Sequence, residues 1–120
     1  MNNCIFCKIA NNEIPAKVIY EDEIVKAYLD INPLAPGHTL IIPKKHFTDL
    51  DDIDEEVLNY IMKISRNLKK RIEERLNPDG IKIMQNNGCL QDVKHYHLHI
   101  IPKYNEEKNL SLDEIFDILK

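Results

Sequence analysis

The chain has 120 residues, 43% of them hydrophobic and 30% charged, with a formal net charge of -4. That length suits one compact domain over residues 1–120 and is too short for two ordinary ones. The acidic balance argues against binding a nucleic-acid backbone, which calls for a basic face, and the most apolar stretch, Leu40-Ile41-Ile42, stops at Pro43, far too soon for a membrane span.

The first residues, Met1 to Cys7, hold neither a basic leader nor a long apolar run, so no membrane association and a cytoplasmic location are expected. A short helix or turn is predicted over residues 3 to 11. Lys17-Val18-Ile19-Tyr20 and Ile24 to Leu29 are β-rich runs separated by Glu21-Asp22-Glu23, the pattern of a hairpin. Asn32-Pro33 and Ala35-Pro36-Gly37 force a loop. A third strand, His38 to Ile42, is predicted to end at Pro43, which lacks the donor a ladder needs. From Asp54 to Leu76 the apolar positions Val57, Ile61, Ile64, Leu68 and Ile72 step by three and four, so one long amphipathic helix is expected there. Its basic residues, Lys63, Arg66, Lys69, Lys70, Arg71 and Arg75, are interrupted by Glu73 and Glu74 and are assigned to a solvated face. Asn77-Pro78-Asp79-Gly80 stops it. Ile81 to Met84 is predicted as a fourth strand and His95 to Ile101 as a fifth. Ser111 and Glu114 make a capping box for a short last helix with Leu112, Ile115, Phe116 and Leu119 apolar. The expected class is therefore α+β: about five mostly antiparallel strands, one long helix and short terminal helices, the helices collected on one face.

His95-Tyr96-His97-Leu98-His99 places a histidine at every second position. On a strand that spacing turns three imidazoles to one face and Tyr96, Leu98 and Ile100 to the other. Histidine serves as nucleophile, acid, base or metal ligand near neutral pH, so the row reads as chemistry, with a histidine-only metal site as its rival and polar residues merely satisfied on a strand as the bland alternative. Cys4-X-X-Cys7 has the reach to clamp one ion, though two cysteines packed as small hydrophobic residues are the plainer reading. A disulfide is disfavoured without a secretory leader, and the βαβ setting of a thioredoxin-like motif is absent. His46 and His95 are the right residue types to complete a zinc tetrahedron. Cys89 is given no role.

The row His95 to Ile101 matches the His-φ-His-φ-His-φ-φ signature, φ being apolar, of the histidine triad superfamily. Cys4-Ile5-Phe6-Cys7-Lys8-Ile9, Glu13-Ile14-Pro15-Ala16, Tyr20-Glu21-Asp22-Glu23, Leu29 to Pro33, Ala35 to Leu40 and Ile42 to His46 resemble its Hint-like branch in the same order, over about residues 4–104. Residues 105–120 fall in the tail, where that branch varies. The resemblance implies a nucleotide hydrolase in which His97 attacks the α-phosphorus and forms a covalent nucleotidyl-histidine that water then releases. By the same likeness His99 and His38 flank the phosphate, Asn86 lies near the leaving group, and Gln91 contacts the phosphate region. Asp30 would hold the ribose hydroxyls, and Ile5, Phe6, Ile9, Ile14, Ile31 and Leu40 the base, with Tyr28 and Leu29 close by. Relatives with Cys-X-X-Cys imply a structural Zn²⁺ on Cys4, Cys7, His46 and His95. A homodimer is implied too, joined through the long helix and Ile81 to Met84.

One departure bears on the chemistry. Where the branch carries Gly-Gln-Ser/Thr-Val, this chain has Leu90-Gln91-Asp92-Val93, and the loop before it is shorter by about two residues. Asp92 thus sets a carboxylate where a hydroxyl donor would meet the phosphate or leaving group. Nor does the tail end in tryptophan, as in some relatives. The leading expectation is a purine nucleoside 5′-phosphoramidase. The alternatives are a hydrolase of dinucleoside polyphosphates or nucleotidyl adenylates, and a zinc-stabilised nucleotide-binding adaptor whose catalysis is vestigial.

Overall fold

The computed structural model describes residues 3–120. Its strands are β1 (Val18–Glu21), β2 (Val25–Leu29), β3 (Thr39–Pro43), β4 (Gly80–Met84) and β5 (Leu98–Lys103), and its helices α1 (Ile5–Ala10), α2 (Glu55–Leu76) and α3 (Leu112–Leu119), with a single 3₁₀ turn at Gly88–Leu90. The five strands form one antiparallel sheet in the order β1-β2-β3-β5-β4.

Every residue of β2 and β3 is buried, so both faces of the sheet centre need cover. Alternation divides them. Val25, Ala27, Leu29 and Ile41 pack with Ile61, Ile64, Leu68, Ile72 and Leu76 of α2 and with Ile115 and Leu119 of α3. Tyr28, Leu40 and Ile42 pack on the other face with Phe6, Ile9 and Ala10 of α1. The helices are therefore not collected on one face as the sequence suggested: α1 covers the second, because β2 and β3 are apolar on both sides.

The caps fall where the residues predict them. Asp54 accepts from the Val57 N–H at the start of α2, Asn77 ends it in the left-handed conformation, and Ser111 with Glu114 forms a reciprocal box on α3. Gly37 has φ +93°, and a Cβ there would lie 2.8 Å from Leu76 Cδ1, so the turn that delivers His38 to the sheet requires glycine.

The histidine strand is shorter than predicted. β3 and β5 pair only from Thr39↔Ile100 to Ile41↔Leu98. Continuing that register would set Tyr96 against Pro43, which has no N–H to give. β3 nonetheless runs through Pro43, because its other neighbour, Val25 of β2, tolerates it. Tyr96 instead donates its N–H to the Phe47 carbonyl at 2.7 Å, and His95 and His97 precede β5. Alternation survives outside the ladder: Tyr96, Leu98 and Ile100 enter the main core. Among the described residues no helix is long and apolar enough to cross a membrane.

Candidate active site and metal cluster

The α1 face of the sheet carries a cross-strand row, Val18, Tyr28, Leu40, His99 and Met84, on five neighbouring strands. Above it lies a cavity of about 260 Å³. All six residues expected to hold a base line it, Ile5, Phe6, Ile9, Ile14, Ile31 and Leu40, together with Asp30, Asp92, His97 and His99. The segment α1 supplies one wall, and the Phe6 ring stands edge-on to His97 with centroids 4.9 Å apart at 86°.

Hydrogen bonds fix which nitrogen of each imidazole carries the proton. His97 Nδ1 lies 2.7 Å from the His95 carbonyl oxygen. A carbonyl only accepts, so Nδ1 holds the proton and Nε2 is left with its lone pair. Burial lowers the His97 pKa, against the opposing pull of the hydrogen bond to the His95 carbonyl and of Asp92 and Asp30, which favours the neutral ring. His38 Nδ1 accepts the Leu34 N–H at 3.1 Å, so its proton is on Nε2 and points to His99 Nδ1, 2.9 Å away. His99 must then carry its own proton on Nε2. Burial, helped by His97 and His38, holds the His99 pKa down to about 4. The chain Leu34 to His38 to His99 thus delivers a neutral N–H donor beside the bare nitrogen of His97.

Cys4, Cys7, His46 and His95 converge at the N-terminal end of α1, with their ligand atoms all within 4.8 Å of one another. Cys4 Sγ and Cys7 Sγ lie 3.3 and 3.4 Å from His95 Nδ1, and Cys7 Sγ lies 3.2 Å from His46 Nδ1. A zinc tetrahedron with bonds of roughly 2.0 Å to nitrogen and 2.3 Å to sulfur has edges of about 3.6 Å, so the cluster needs little adjustment to close on an ion. His95 Nε2 donates to the Pro43 carbonyl at 2.8 Å, which leaves Nδ1 free as the ligand. The donor set fits Zn²⁺. Asp30, His38 and His99 also converge within 4.8 Å, but a metal on His38 Nε2 would require a proton on Nδ1, where the Leu34 N–H already points. That second group is built for hydrogen bonding.

Three expected residues stand elsewhere. His38 is not on the cavity wall but behind His99. Gln91 is buried and turns its amide away, Nε2 donating to the Thr48 carbonyl at 2.7 Å, while its side-chain oxygen has no partner. Asn86 does not line the cavity either. Asp92 does, from an exposed position at the rim. Sequence reasoning missed Lys26, which is 2% exposed and donates to the Ile9 carbonyl and Asn12 Oδ1 at the C-terminal end of α1. In sequence it looks like any solvent-facing lysine of an alternating strand.

A largely apolar cavity ending in a neutral, oriented imidazole suits attack by a nitrogen nucleophile on a bound ligand, and comparison with known proteins gives the family that builds it. The pattern of the HIT domain matches residues 11–106. The chain belongs to the HIT, or histidine triad, family of nucleotide hydrolases, and Cys4 and Cys7 fit its bacterial-type branch. It is 48% identical to an uncharacterized HIT-like protein of Methanocaldococcus jannaschii, covering 98% of both chains. An adenosine 5′-monophosphoramidase of Saccharomyces cerevisiae is 44% identical over 89% of this chain and 66% of its own. Among solved structures, a Zn-bound histidine triad family protein from Mycobacterium smegmatis matches with a TM-score of 0.90 at 36% identity, over 98% of this chain and 90% of that one.

Proposed function

We propose that the protein is a purine nucleoside 5′-phosphoramidase. The observation that carries the reading is His97, a buried neutral imidazole whose Nδ1 proton is committed to the His95 carbonyl and whose Nε2 is unprotonated at the cavity. That nitrogen attacks the α-phosphorus, the P–N bond to the amine breaks, and the departing nitrogen takes two protons from solvent and leaves as an ammonium ion. Water then attacks the phosphorus, the P–N bond to His97 breaks, and the nucleoside monophosphate leaves with the neutral ring restored. His99 Nε2–H donates to a phosphate oxygen as charge builds there. His38 acts through His99 as a positioning residue, and Asp30 accepts from the ribose hydroxyls. No step falls to Asn86 or Gln91.

Asp92 supports the choice of leaving group. A rim carboxylate repels the extra negative charge of a dinucleoside polyphosphate and attracts an amine that departs as a cation. Cys4, Cys7, His46 and His95 would hold Zn²⁺, and with four protein ligands the ion would serve structural closure and not the reaction. The same reading includes a homodimer across the exposed edge of β4, whose Ile83 is 39% exposed beside Met62 of α2 at 48%.

The test is turnover of adenosine 5′-phosphoramidate by the wild type and by His97→Ala. Turnover should fall by about a thousandfold or more, while AMP affinity, which rests on Asp30 and the apolar wall, should change little. A variant that keeps even about a tenth of the rate, far more than a missing nucleophile permits, refutes the role of His97.

A further inference from the structure

Tyr28 is a residue that the chemistry above leaves unused. It lines the cavity, it is 4% exposed, and its hydroxyl is buried with no hydrogen-bond partner. Buried tyrosine hydroxyls ordinarily have one. The Phe6 ring packs edge-on against it, with centroids 6.1 Å apart at 78°.

Its place on the sheet is a ruler. Tyr28 pairs with Leu40, and Leu40 with His99, so Tyr28 stands two strands, about 10 Å, from the phosphate end. That is the reach of a nucleoside monophosphate from its phosphorus to the far edge of its base, with Asp30 beside the ribose between them. The neighbouring wall contributed by Ile5, Phe6, Ile9 and Ile14 is hydrocarbon. Such a wall stacks on any planar base, whereas a buried group waiting for a hydrogen bond discriminates strongly.

We propose that Tyr28 is a specificity-determining residue whose hydroxyl donates a hydrogen bond to an unprotonated ring nitrogen of the purine, so that the pocket reads the base instead of merely stacking on it. Burial pushes the phenol pKa up, which keeps it a protonated donor. The inference rests on the phosphoramidase reading only in taking a nucleotide as the occupant.

The experiment measures binding of AMP, of its 1-deaza, 3-deaza and 7-deaza analogues, and of ribose 5-phosphate to the wild type and to Tyr28→Phe by calorimetry. The expected result is an approximately tenfold weaker AMP affinity for Tyr28→Phe, the scale of one neutral hydrogen bond, with ribose 5-phosphate unchanged. One deaza analogue should lose about the same factor on the wild type and nothing further on the variant. Equal AMP affinity of the two proteins overturns the proposal. If Tyr28→Phe does not fold, the wild type alone decides, because three deaza analogues that all bind as tightly as AMP also overturn it. A wild type that binds no AMP at all removes the nucleotide reading itself, a separate outcome.

Discussion

An imidazole is a nucleophile through whichever nitrogen its hydrogen bonds leave bare, so the chemistry of this site is decided by partners that are themselves unreactive. The His95 carbonyl assigns the proton of His97, and the Leu34 N–H, acting through His38, assigns that of His99. Both assignments hold only while the rings are neutral. His99 titrates near 4 in the folded protein, against about 6.5 for an ordinary histidine. The unfolded chain therefore binds more protons between those values, and the stability that His99 contributes is present in full above pH ~6.5 and lost as pH falls toward 4. Urea unfolding followed from pH 7.5 to 4.5 should show the midpoint dropping through that window. In His99→Gln the drop should be shallower; an unchanged pH profile would mean that other groups carry the acid sensitivity.

At the scale of the element, α1 is six residues long and too short to be stable by itself. It is fastened at both ends instead. Cys4 caps its first turn, accepting the Cys7 N–H at 3.3 Å, and both thiols belong to the candidate metal cluster. Lys26 holds the last turn by the Ile9 carbonyl at 2.8 Å and Asn12 at 2.6 Å. Between those fastenings the helix presents Phe6 to His97 and Ile5 and Ile9 to the cavity. Loss of the metal should therefore be felt in the cavity as well as in stability. Wild type purified without chelator is expected to contain about one zinc per chain, and Cys7→Ser to lose it, with a lower Tm and weaker AMP binding. Structural zinc contributes roughly 10 to 16 kcal/mol of binding free energy in small metal-folded peptides, so a Cys7→Ser protein with unchanged Tm would contradict the metal assignment.

For the whole molecule, the sheet order leaves two edges, and they differ. β1 is tied by Asp22, which accepts from Tyr20 and from Tyr60 of α2. β4 has no buried residue, and Ile83 and Met62 line a shallow hollow with the basic residues Lys63, Arg66, Lys69 and Lys70. Pairing β4 with its symmetry copy would cover that edge and those two side chains at once. Sedimentation at micromolar concentration should give the mass of a dimer for the wild type and of a monomer for Ile83→Glu, which would set a carboxylate on the exposed edge of each copy. A wild type that sediments at 14.1 kDa would exclude the dimer.

Element types and caps were legible in the residues because they depend on local spacing: the three-four step of Val57 to Ile72, the Ser111–Glu114 box, the helix stop at Asn77-Pro78-Asp79-Gly80. The apolar set at the cavity and the Cys4, Cys7, His46, His95 group were legible through resemblance, as types in a known order. The strand predicted for His95 and His97 failed because a ladder needs donors on both strands, and Pro43, far away in sequence, has none. The placement of α1 on the second face, the position of His38 behind His99, the inward turn of Lys26 and the unpaired hydroxyl of Tyr28 were decided by tertiary structure. Periodicity tells which side chains share a face. Which atom of a side chain is left without a partner depends on what the rest of the chain brings against it.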